Sequence, residues 1–322
     1  MSIEVADIIK QFGNYYLKGG QNEKRLLRTL TQGREFPTYC TPMPTDETIF
    51  QLSNPMFKSL VQSFQKGFTQ KGGVEFIPNE IRVFHMKIDD EFYPDELTST
   101  WLGFLASMEE ADRSKWPFVR WLGEVYYNQQ ADQDMELKEY YKGVYIPPTA
   151  NVAGDDGKSM NGLQMQLKAG VDAGTINSID TGNLEAATIF DQVEAFTDEI
   201  SELYQGIEMN VFMCRKWFKK YMQDKRAQGF YQRTSDKDID GSIDFTPQSV
   251  KPLACMVGTD DIFCTPKQNL LHLYSLSAKK RKYKVETSKR AVAVMADWWE
   301  AIGIATNPVV WTNIQPTASG SV

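Results

Sequence analysis

Residues 183–229, NLEAATIFDQVEAFTDEISELYQGIEMNVFMCRKWFKKYMQDKRAQG, decide the fold class. Ala186, Ile189, Phe190, Val193, Phe196, Ile200, Leu203 and Tyr204 recur at helical spacing, which predicts an amphipathic helix capped by Asn183 and stopped by Gly206. Glu185, Asp191, Glu194, Asp198, Glu199 and Glu202 fall on its wet side. Met209–Met213 is brief, apolar and bounded, the pattern of a buried strand. Trp217, Phe218, Tyr221 and Met222 then share one helical face. Arg215, Lys216, Lys219, Lys220, Lys225 and Arg226 surround it, and Gly229 closes the helix. Helix, strand and helix in succession predict a layered α+β or α/β domain.

The rest of the chain supplies the other layers. Val5, Ile8, Ile9, Phe12, Tyr15 and Tyr16 predict a helix up to Gly19-Gly20, with a shorter one through Leu26, Leu27 and Leu30. This pair reads either as an arm that needs a partner surface or as helices packed on their own domain. Asn54-Pro55 followed by Phe57, Leu60, Val61, Phe64 and Phe68 predicts a capped helix stopped by Gly72-Gly73. Val74–Ile77 and Ile81–Ile88 flank Pro78-Asn79-Glu80 and predict a two-stranded hairpin, which is marginal alone and has to lie on something else. A helix is expected from Tyr93-Pro94 through Met108, and a longer one from Phe118 to Tyr141. Pro147-Pro148 and Gly154–Gly157 mark a boundary. Beyond it a short helix is expected over Met160–Lys168, with strands at Leu253–Val257 and Ile262–Cys264 and a long returning strand over Lys284–Ala296.

Composition limits the function classes. The chain has 322 residues, of which 42% are hydrophobic, ample for a packed core. A formal charge of −7 argues against a dedicated nucleic-acid binder, whose affinity comes from cations that neutralise phosphates. Cys40, Cys214, Cys255 and Cys264 are too few and too irregularly spaced for a zinc ribbon or a disulfide scaffold, and read as reduced, mostly buried thiols. Glu4 and Asp7 interrupt the first apolar residues, and no apolar stretch approaches the ~20 residues needed to cross a bilayer. Neither an export signal nor a membrane anchor is expected.

Three features of the sequence are candidates for chemistry. Asp236-Lys-Asp-Ile-Asp-Gly-Ser-Ile-Asp244 places Asp236, Asp238, Asp240 and Asp244 at alternate or near-alternate positions with Gly241 at the turn, much of an EF-hand calcium loop. Its twelfth position, which requires a bidentate Glu, is Pro247, so the loop reads as polar surface and no metal is assigned. A triad needs a positioned base, usually histidine. His85 lies in an extended alternating segment and His272 in the apolar Asn269–Tyr274, so both read as structural and no catalytic residue is assigned. Lys279–Lys282, with Lys284, Lys289 and Arg290 nearby, is the dense basic run and reads as a solvated connection. No cofactor is expected.

The order of these elements resembles the major capsid protein of tailed bacteriophages, the Hong Kong 97-like fold shared with encapsulin shells. The resemblance covers the chain from about residue 40 onward and rests on organisation. It implies an α+β capsid fold with an N-terminal arm (1–40), an extended hairpin loop (about 72–92) and peripheral domain with a long spine helix (41–145), an axial domain (146–282), and returning peripheral strands with a C-terminal tail (283–322). It further implies a non-enzymatic subunit that self-assembles into the hexamers and pentamers of an icosahedral shell around double-stranded DNA. Such a subunit assembles in the bacterial host cytoplasm, ends in the virion capsid, and works with portal and decoration proteins. With Met1 as the natural start, scaffolding is expected from a separate protein. The alternatives are an encapsulin-like compartment and, from another class, a calcium-dependent enzyme or binding module using the Asp236–Asp244 loop.

Overall fold

The computed structural model describes residues 33–57, 59–92, 127–229, 241–276, 282–288 and 291–317. The expected arm helices, the helix from Tyr93, the Phe118–Tyr126 part of the spine, and Lys279–Arg281, Lys289 and Arg290 lie outside these residues. In chain order the described elements are β1 (Thr41–Pro44), β2 (Ile49–Phe57), β3 (Val74–Arg82), β4 (Phe84–Phe92), α1 (Asn128–Asp134), α2 (Leu163–Asp172), β5 (Asn177–Ser178), α3 (Ile189–Asp198), α4 (Glu202–Gln205), β6 (Asn210–Cys214), α5 (Arg215–Ala227), β7 (Ser249–Leu253), β8 (Ile262–Thr265), β9 (Leu270–Tyr274), β10 (Lys282–Ser288), β11 (Ala291–Ile304) and β12 (Trp311–Thr312). They form two compact units. Of the described residues, the larger contains 35–57, 59–84, 138–229, 241–276 and 299–317; the smaller contains 33–34, 85–92, 127–137, 282–288 and 291–298.

The core of the larger unit is a mixed sheet in the order β5-β12-β8-β6-β7. Val211, Phe212, Met213 and Cys214 are all buried, as are all four residues of β8. A strand buried on both faces needs cover from both sides, which is why its sequence is a continuous apolar run. Phe212 sits opposite Phe263 in register, and their rings stack at 4.8 Å. Cross-strand aromatic pairs of this kind are the unit that fixes sheet register. Helices α3 and α5 meet through Phe190 and Tyr221, 5.5 Å apart.

Within the larger unit, the helix end at Tyr140 and Tyr141 joins the start of α2 through backbone bonds. Met135–Glu139 is a π-helical stretch, and Tyr140 and Tyr141 after it are fully buried. Gly162 N–H donates to Gly143 O, Leu163 N–H to Tyr140 O and Gln164 N–H to Tyr141 O, each at 2.9 Å. Unpaired amides at one helix start are thereby satisfied by carbonyls left over at another helix end.

Elsewhere in the larger unit β1 runs parallel to β9, and β9 pairs antiparallel with Glu300–Ile304, the last part of β11. An antiparallel ribbon, β2 with β3, is held at its base: Asn79 Nδ2 donates to Ile304 O at 2.7 Å and Val83 N–H to Thr48 O at 2.9 Å. Gly303 makes room for Ile81, whose Cδ1 would lie 2.4 Å from any β-carbon there.

In the smaller unit β10 and the first part of β11 form an antiparallel hairpin, and β4 also pairs with β11. Arg34 Nε meets Asp132 Oδ1 at 2.7 Å, and Tyr127 Oη donates to Asp90 Oδ2 at 2.6 Å.

The structure corrects several sequence expectations. Asn54–Phe57 is the end of strand β2, and 59–73 is irregular, so no helix forms there. Pro55 is tolerated because a two-stranded ribbon leaves each strand one edge that needs no donor. The hairpin does not turn at Pro78-Asn79-Glu80; β3 runs straight through them, and its partner is β2. The single strand expected over Lys284–Ala296 is two strands, with Ser288 directly opposite Ala291. Helix α3 begins at Ile189, not at Asn183, because Gln192 Nε2 bonds Thr181 O and Asn183 O and holds the preceding turn open. The backbone extends at Ser201 and splits α4 from α3. The short helix expected over Met160–Lys168 runs from Leu163 to Asp172, and the strand expected over Leu253–Val257 is β7, which ends at Leu253.

Candidate assembly surface

The β2–β3 ribbon pairs nine residues with nine, and residues 58–73 connect them. Within that connection Gln62 Nε2 donates to Thr69 O at 2.8 Å and Lys71 Nζ donates to Val61 O, so side chains brace it. Its apolar groups face water: Leu60 is 54% exposed, Val61 85%, Phe64 93% and Phe68 98%. Four large apolar groups in nine residues form an exposed patch of the kind that marks an interaction site rather than scattered surface residues. A second departure from a water-adapted surface is Phe245, fully exposed on a backbone with φ 64°, a region strained for any residue with a β-carbon.

Buried polar groups tie the larger unit together. Glu300, 2% exposed, accepts from Tyr140 Oη at 2.6 Å and lies 2.7 Å from His272 Nε2 through the same Oε1. Tyr141 Oη donates to Asp261 Oδ2 at 2.8 Å, and Gln164 Nε2 donates to the same oxygen at 2.6 Å. Burial, then the Asp261 carboxylate, hold the Tyr141 phenol well above its ordinary value. Phe190 N–H, in the first turn of α3, donates to Asp224 Oδ2 of α5 at 3.0 Å, a cap supplied across the sequence that no local pattern signals.

Burial also raises the Glu139 carboxyl above the ordinary value of 4.5, opposed by the N–H groups of Ser159 and Met160, which donate to its Oε2. The folded chain holds this proton more tightly than the unfolded chain. The stability it contributes is therefore full below the unfolded value and lost as pH rises through the raised folded value. Glu139→Gln, which keeps an acceptor for both amides, is expected to raise the melting temperature near neutral pH and leave it unchanged at about pH 4. Equal shifts at both pH values would remove burial as the cause.

Among the described residues, the candidates for chemistry lie apart from one another. Asp236, Asp238 and Asp240 lie outside the described residues. Asp244 pairs with Lys225 Nζ at 3.4 Å, and Gly241 gives room to Val250 O, which would lie 2.3 Å from a β-carbon. Among the described residues no group of three His, Cys, Asp or Glu side chains is placed to hold a metal ion. His85 lies 3.1 Å from Asp297 Oδ2 on the surface, and His272 belongs to the Glu300 network. All four cysteines are buried thiols, and burial pushes that of Cys264 far up. Among the described residues no helix is long and apolar enough to cross a membrane.

No protein-family model matches the chain, and no curated protein matches it by sequence. Solved structures do. A chain of the satellite phage P4 procapsid including size determination (Sid) protein superposes with TM-score 0.53 at 12% identity, over 91% of this chain and 99% of that one. The capsid of an empty GTA particle gives TM-score 0.55 at 11% identity, over 88% and 90% of the two chains. Gordonia phage Cozz gives TM-score 0.54 at 10% identity, over 90% and 88%. At such identities the likeness is one of fold, and it extends over nearly the whole of each chain. The chain thus has the α+β fold of phage capsid proteins, the Hong Kong 97-like fold that its order of elements resembles.

Proposed function

We propose that this chain is a major capsid protein, the repeating subunit of an icosahedral shell built from hexamers and pentamers around double-stranded DNA. In this reading it is a structural protein and not an enzyme. It assembles in the bacterial host cytoplasm, resides in the virion, and works with separate scaffolding, portal and decoration proteins. Residues 1–40 serve as the arm, 41–145 with 283–322 as the peripheral domain, and 146–282 as the axial domain; the β2–β3 ribbon is the extended loop.

The observation that carries the reading is the β-ribbon tip, where Val61, Phe64 and Phe68 are left in water by their own chain. Two strands alone bury too little to be stable, and exposed aromatic groups gain free energy only when a partner covers them. Copies of the same chain supply that cover many times over in a closed shell. The ribbon lies over an adjacent copy, and unlike surfaces meet head to tail and close into rings.

Electron microscopy and sedimentation of the purified protein test the reading directly. Closed particles, hexamers or pentamers support it, and a chain that stays monomeric at every concentration and ionic strength overturns it. Particles filled with protein instead of DNA overturn its nucleic-acid part. The double substitution Phe64→Ser with Phe68→Ser is expected to cut the assembled fraction by about tenfold or more, since buried aromatic anchors each contribute ~2 kcal/mol to an interface. The monomer's unfolding midpoint is expected to stay within ~0.5 kcal/mol of the parent, because both side chains are exposed in the monomer.

A further inference from the structure

The outward faces of α3 and α5 carry opposite charge, and among the described residues no ion pair joins an acid of one to a cation of the other. Steps of 100° along α5 gather Arg215, Lys216, Lys219, Lys220 and Arg226 on one arc, away from buried Trp217, Tyr221 and Asp224. The arc holds no carboxylate. On α3 the same construction gathers Asp191, Glu194 and Asp198, with Glu199 at the C-cap, away from buried Ile189, Phe190, Val193 and Phe196. This arc holds no cation.

The two helices meet at Phe190 and Tyr221, while Asp191, Asp198 and Glu199 of one and Arg215, Lys216, Lys219 and Arg226 of the other are exposed. Among the described residues the ion pairs of α5 are Arg215 with Glu35 at 2.6 Å and Lys225 with Asp244 at 3.4 Å; none joins an α3 carboxylate to an α5 cation. Lys216 and Lys220 rest 5.1 and 5.5 Å from the Trp217 ring. On α3 the acids crowd one another. Partial burial, then Asp191, Asp244 and Asp198, raise the Glu194 carboxyl, with Lys225 opposing them.

Resting on the shell reading above, we propose that the basic face of α5 on one copy docks against the acidic face of α3 on the next copy. Two unlike patches on one chain make a head-to-tail contact, the kind that repeats around a ring. Charge complementarity speeds encounter and rejects misaligned neighbours, because like faces brought together repel. A nucleic acid fits less well: it would match α5 but be repelled by α3 and by a chain of net charge −7. A second copy matches both faces.

Charge reversal and swap test this in the full-length chain. K216E/K219E/K220E makes both faces acidic, and E194K/D198K/E199K makes both basic. In low salt each is expected to reduce the assembled fraction, read by sedimentation velocity, by about tenfold or more. The chain with all six substitutions restores opposite charges and is expected to recover to within about threefold of the parent. An equimolar mixture of the two reversed chains is expected to co-assemble. The contact is overturned if folded single reversals assemble like the parent, or if the folded six-substitution chain does not recover. It is also overturned if K216E/K219E/K220E abolishes binding to a short DNA duplex while leaving assembly intact. Circular dichroism melting verifies folding. Should a reversal fail to fold, the neutral set K216Q/K219Q/K220Q replaces it and is expected to flatten the salt dependence of assembly; an unchanged dependence overturns the contact. A parent chain that never assembles defeats the shell reading itself, whereas a parent that assembles beside indifferent variants defeats only this contact.

Discussion

Replacing Gly162 with alanine is expected to destabilise the protein by about 3 kcal/mol or more and to lower its melting temperature by roughly 5–10 °C. A β-carbon at this position would lie 2.5 Å from Tyr141 O, 2.7 Å from Glu139 O and 2.7 Å from Gly143 N. All three are backbone atoms, so no change of rotamer relieves the overlap. The start of α2 would have to withdraw from the end of the preceding helix, disrupting three backbone bonds of 2.9 Å at once. Glycine is required here for space and not for conformational freedom, since Gly162 has an ordinary φ of −77°. Gly206→Ala is the control: no atom lies within 4 Å of a β-carbon there, and φ is −81°. Its effect is expected to stay within ~0.5 kcal/mol. Similar losses for the two variants in urea unfolding would show that steric crowding at Gly162 is not the cause.

Glu300→Ala is expected to cost about 2–4 kcal/mol. One buried oxygen serves both the Tyr140 hydroxyl and the His272 ring, and Tyr140 is fully buried, so its hydroxyl would lose an acceptor where water does not reach. Tyr140→Phe removes one donor and leaves Glu300 with His272, so about 1 kcal/mol is expected. Denaturant midpoints for the two variants and their double mutant measure the coupling. The network account fails if Glu300→Ala unfolds at the parent's midpoint, or if the two effects simply add.

The parts of the fold legible in the sequence are those whose signal is local. Strand β6 is recognisable because Val211–Cys214 is apolar at every position, and α5 because one helical face collects its aromatics. In the β-ribbon β3 was legible as extended chain, but its partner β2 was not. Phe57, Leu60, Val61, Phe64 and Phe68 fall at helical spacing, and such spacing reports only that apolar groups share a side, not what covers them. The pairing that overrides it, Ile49–Phe57 with Val74–Arg82, is non-local. The β10–β11 hairpin was hidden for another reason. Its two-residue connection is Lys289-Arg290, which lacks the Asn-Gly or Asp-Gly signature of tight hairpins. The uncovered tip therefore has the spacing of a capped helix, whereas the charge segregation of α3 and α5 is visible from residue order alone. The backbone junction at Gly162 had no sequence signal, since Tyr141 and Glu139 approach it only in the fold.

In the proposed shell, the uncovered tip also makes the protein's durability a matter of dilution. Any neighbour that clasps folded copies and ignores unfolded ones adds a free energy that grows with the logarithm of its abundance. Each subunit would then be sturdiest where subunits are most plentiful, and newly made chains, still scarce, would be the easiest for proteases to remove.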